Sequence, residues 1–163
     1  DGKQTTVGVK TTRIILLEML WVAGITILAL IVMIPIYAHA REFPFYLDNF
    51  IFVFALFTYA RFMFFVSTSI LTLHVGVKLF FLATAFPFSF LLLDQFNNFR
   101  TYIDNHGTQP FFGHLPDKLQ IPIDIYLKNE MVLFGVGAIV SSILFPFFLV
   151  YSIWVFRNKG RHI

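Results

Sequence analysis

A bundle of four transmembrane α-helices is the fold this sequence predicts, and three observations carry it. Four apolar stretches are long enough to cross a bilayer, charges are too sparse for a water-soluble surface, and lysine and arginine gather where an even number of crossings brings them to one side. The 163 residues are 58% hydrophobic, 19% aromatic and 13% charged, against about 45–50% apolar and about 25% charged in an ordinary soluble domain. Lipid therefore stands in for a buried core, and one transmembrane domain over residues 1–163 is expected.

Crossing roughly 30 Å of hydrocarbon takes about 20 helical residues. The first stretch runs over about 14–38, the second over about 49–71, a shorter third over about 77–93 and the last over about 131–156. Between the second and third, a tight turn at His74 to Lys78 is needed, because one unbroken helix there would be about 68 Å long. The apolar run at the start exceeds the roughly 7–15 residues of a signal peptide and lacks a small-x-small cleavage site, so the first helix is expected to remain in the mature protein.

Basic residues set the orientation. Lys3, Lys10 and Arg13 precede the first span, Lys78 lies at the second turn, and Arg157, Lys159 and Arg161 follow the last. Arg41, Arg100, Lys118 and Lys128 fall on the other side, outnumbered there by acids that include Asp48, Asp94, Asp104, Asp117, Asp124 and Glu130. Both termini are expected to be cytoplasmic, in the cell's inner membrane. The outer loop then covers about 94–130. Within it, LLLDQFNNFRTYIDNHG is expected to continue the third helix to a stop at Gly107, and the proline-rich remainder, with Phe111 and Phe112, to be mostly loop. Net charge is +3, but its bearers sit at the chain ends rather than on one patch, so no nucleic-acid partner is expected.

Arg61 is the most informative residue of the spans. A guanidinium inside a bilayer is costly and commonly marks a site or a helix contact. Helical spacing puts Thr58, Arg61, Phe65, Thr68 and Thr72 on one face of the second span, which is expected to look toward protein rather than lipid. Arg61 lies about 18 Å from the outer end of that span, and Glu18 lies about one turn inside the inner end of the first. The two depths suit an ion pair. It would lock helix register, meet an acidic partner or lipid phosphate, or serve ion movement with Glu18 titrating.

In the last span Gly135, Gly137, Ala138, Ser141 and Ser142 form a small-residue face, which lets another helix approach closely. Pro35, Pro87 and Pro146 bend helices in or near three spans, and the 23 phenylalanines are spread through all of them without a repeating box. The chain has no cysteine, which removes disulfides, thiolate metal sites and cysteine nucleophiles. His106, His114, Asp104 and Asp117 match no metal-ligand spacing, and no hydrolase, phosphate-loop or haem motif occurs, so neither a metal nor another cofactor is expected.

These readings favour a non-catalytic subunit of a larger inner-membrane assembly, with membrane lipids and other integral subunits as partners. An energised complex, such as a respiratory enzyme or a proton-driven motor of the ExbB and ExbD kind, fits the size and topology. The competing expectation is a small homo-oligomeric transporter for an ion, proton or solute, using Glu18 and Arg61.

Overall fold

The computed structural model describes the backbone of residues 2–159, with side chains over 11–158 apart from those of Ser67 and Phe156. Lys3, Lys10, Lys159, Arg161 and His162 lie outside the described side chains.

Two long helices and two medium ones account for almost all of it: α1 (Gly2–His39), α2 (Tyr46–Phe64), α3 (Val75–His106) and α5 (Asp117–Lys159), with a single turn, α4 (Gln109–Phe112), before the last. Each of the four is long and apolar enough to cross a membrane. Their outward faces carry Leu16, Phe64, Phe90 and Phe147, all more than half exposed, a surface that water would penalise and lipid covers. This is an all-helical, multi-pass membrane bundle.

The helices alternate in direction. At one end Arg61, near the close of α2, meets Glu18 of α1, and Lys78, at the start of α3, donates to Ser152 late in α5. At the other end the Arg41 N–H of the α1–α2 connector donates to the Phe111 carbonyl at 3.1 Å. α5 is the hub: it packs along both α2 and α3, while α1 leans chiefly on α2, and α2 and α3 meet through ring pairs such as Phe62 with Phe81 and Tyr59 with Phe88 rather than backbone to backbone. Fully buried Phe52, Phe145, Leu92, Leu127 and Met131 fill the seams.

The second helix is shorter than its apolar run. It was expected to reach Leu71, but it stops at Phe64 and is followed by two 3-10 turns, Val66–Thr68 and Ile70–Thr72. Local hydroxyls explain the stop. Thr68 Oγ1 donates to Phe65 O, Ser69 Oγ to Val66 O and Thr72 Oγ1 to Ser69 O, bonds that compete with the helical ladder. The connection therefore spans 65–74, not His74 to Lys78.

Residues 117–130, expected as loop, are helix. Pro122 lies inside α5, where it removes one backbone bond near the start. Against that loss, Ile123, Leu127 and Met131 repeat at helical spacing and are all buried. Asp117 in the first turn also suits the positive end of the helix. α3 ends as expected, with Gly107 at φ 64 capping it. Phe111 and Phe112 pack into the chain's own bundle, where Phe111 meets Phe43 edge-on and stacks on Tyr102.

Candidate functional site

Two buried polar centres lie near opposite ends of α2, about 18 Å apart by the rise from Asn49 to Arg61. The first is the ion pair. Arg61 Nη2 lies 3.2 Å from Glu18 Oε1, and Arg61 Nε donates to Glu18 Oε2 at 3.4 Å. A fork of two contacts fixes both side chains more firmly than one would. Arg61 is 7% exposed and its guanidinium carbon lies 5.1 Å over the Trp21 ring, so an aromatic face covers the charge.

The pair also holds the irregular connector. Glu18 Oε1 accepts the Ile70 backbone N–H at 2.8 Å, and Arg61 Nη2 donates to the Thr68 carbonyl at 3.4 Å. Backbone leaving a helix at membrane depth needs such partners. Of the threonines expected on one stripe, only Thr58 shares α2 with Arg61. Thr68 and Thr72 lie in the 3-10 turns and spend their hydroxyls locally, so the continuous stripe does not form.

The small residues of α5 divide between two neighbours. A Cβ on Gly135 would lie 2.5 Å from Phe96 Cδ2 of α3, and one on Gly137 3.0 Å from a methyl of Leu56 of α2. Ala138 and Ser142 are fully buried and Ser141 nearly so, with Ser141 donating to Ala138 O and Ser142 to Ile139 O. The hub helix thus uses its small residues inside the chain.

The second centre was not foreseen. Glu130, assigned by sequence to the outer acidic loop, is 5% exposed, and Asn49 is completely buried. Asn49 Nδ2 donates to Glu130 Oε2 at 2.8 Å, joining α2 to α5. Glu130 Oε1 and Asn49 Oδ1 have no hydrogen-bond partner among the described residues. The signal was present in the sequence: with 117–130 helical, Glu130 falls beside Ile123, Leu127 and Met131 on the buried face. Lys78 was read only as a topology marker, but it too is buried and donates to Ser152 at 2.8 Å.

Because α2 and α3 pack on α5 and reach each other only through side chains, a cleft of about 350 Å³ opens between them. Phe50, Phe54, Phe62, Phe81 and Phe88 line it, together with Thr58, whose hydroxyl is buried without a partner. Among the described residues no three His, Asp or Glu side chains gather in a metal-holding group. No family model, curated protein or solved structure matches the chain.

Proposed function

We propose that the chain is a non-catalytic subunit of a larger inner-membrane assembly, an energised one by architecture, with both termini in the cytoplasm. The cleft between α2 and α3 carries this reading. It is apolar, open along two spanning helices and lined by Phe50, Phe54, Phe81 and Phe88. A groove of this kind between membrane helices gives a further helix a place to pack closely. The cytoplasmic placement of the termini is supported by Lys3, Lys10 and Arg13 ahead of the first apolar stretch, Lys78 near the second turn, and Arg157, Lys159 and Arg161 after the last stretch.

The homo-oligomeric transporter has less support. Glu18 and Arg61 are engaged with each other and with the connector backbone, which suits a fixed lock better than a group that must exchange an ion. Purification in a mild detergent is expected to bring down other integral membrane chains. A photoreactive residue replacing Phe54 in the cleft is expected to crosslink one of them. Recovery of a monomer or pure homo-oligomer, with crosslinks to lipid alone, overturns the proposal.

A further inference from the structure

We propose that Glu130 and Asn49 form a binding site for a small monovalent cation, H⁺ or Na⁺, at the α2–α5 seam, held between Glu130 Oε1 and Asn49 Oδ1. The inference is independent of the subunit reading, which stands or falls on the cleft.

Both oxygens are acceptors, and both are orphaned in a fully enclosed place. Buried polar atoms are nearly always hydrogen-bonded, so two unsatisfied oxygens on side chains already joined at 2.8 Å mark a position that takes positive charge. Among the described residues the carboxylate has no basic partner to supply it. Glu130 belongs to none of the ion pairs Arg61–Glu18, Arg100–Asp104 and Lys128–Asp124. A bare carboxylate with a single amide donor is not a stable occupant of such a site.

The ionisable groups on the elements packed around it are otherwise committed or differently placed. Tyr126, one turn earlier on α5, donates its hydroxyl to the Val32 carbonyl of α1 at 2.7 Å. On α5, Lys128 and Asp124 pair with each other at 2.9 Å. On α3, Arg100 and Asp104 pair at the exposed surface. On α2, Asp48 is half-buried near the start of the helix, and the Tyr46 ring meets Tyr37 of α1 and Phe43. In the α1–α2 connector, Arg41 and Glu42 are exposed.

Charge and size select the ligand class. One carboxylate balances one positive charge, whereas divalent ions gather several hard oxygen ligands and commonly more than one carboxylate. A proton on the carboxyl removes its charge and gives it a donor. Sodium is a small monovalent ion that oxygen acceptors also bind.

The full chain in detergent micelles or nanodiscs, with its glutamate side chains ¹³C-labelled, distinguishes the two. If Na⁺ binds, the melting temperature rises by a few degrees per tenfold step in NaCl at constant ionic strength made up with choline chloride. That dependence vanishes in Glu130→Gln. If H⁺ binds, the melting temperature ignores Na⁺, and the infrared spectrum near neutral pH holds a labelled carboxylic-acid C=O band that Glu130→Gln removes. The loss of the band in Glu130→Gln assigns it among the chain's three glutamates, Glu18, Glu42 and Glu130. Absence of both the Na⁺ dependence and the acid band in the wild-type chain overturns the proposal, and that reading needs no variant to fold.

Discussion

At the scale of single residues, Arg61 shows how a costly group becomes structural. Its charge is balanced by Glu18, screened by Trp21 and tied to the backbone of a connector that has left the helix. Removing one member of a buried pair costs about 3–5 kcal/mol, because the other charge is left uncompensated, while removing both is much milder. Arg61→Leu and Glu18→Gln are therefore each expected to lower the melting temperature in detergent, with the double variant no worse than the more damaged single one. Additive losses would show that the two side chains act separately. Depth and helical face made this pair legible in the sequence. Asn49 and Glu130 were not, because Pro110, Pro116 and Pro122 ahead of Glu130 pointed to loop and hid its helical face.

At the scale of elements, α5 decides the arrangement. Its small residues are spent on α3 and α2, and the two contacts differ in slack. A methyl at Gly135 meets the rigid ring of Phe96 at 2.5 Å, while one at Gly137 meets the movable tip of Leu56 at 3.0 Å. Alanine in a helix gains about 1 kcal/mol over glycine, and overpacking costs about 1–3 kcal/mol. Gly135→Ala is expected to destabilise the bundle and Gly137→Ala to stay within about 0.5 kcal/mol of wild type. Thermal unfolding in detergent measures both, and equal losses would contradict the difference in slack. The ends of elements were the least legible part. α2 closes early because Thr68, Ser69 and Thr72 recruit nearby carbonyls, while hydropathy continues unchanged to Leu71.

At the scale of the whole molecule, four alternating helices put the α3–α5 connector and the C-terminal end of α5 at opposite ends of the bundle. The chain has no cysteine, so single reporters can be read without background. In intact cells His114→Cys is expected to react with a membrane-impermeant maleimide, and Arg157→Cys only after the membrane is opened. Both positions are exposed. Equal labelling of the two from outside would refute the four-span topology.

The sequence by itself determined that the chain is a helical membrane bundle, because apolar run length and charge scarcity are local quantities that hydrocarbon thickness converts directly into spans. It also brought Glu18 and Arg61 to matching depth, since helix rise is fixed. Tertiary structure alone decided the cleft between α2 and α3, the burial of Glu130 against Asn49, and the neighbours of each small residue on α5. Those features depend on which faces of distant helices meet, and no periodicity within one segment encodes its partner.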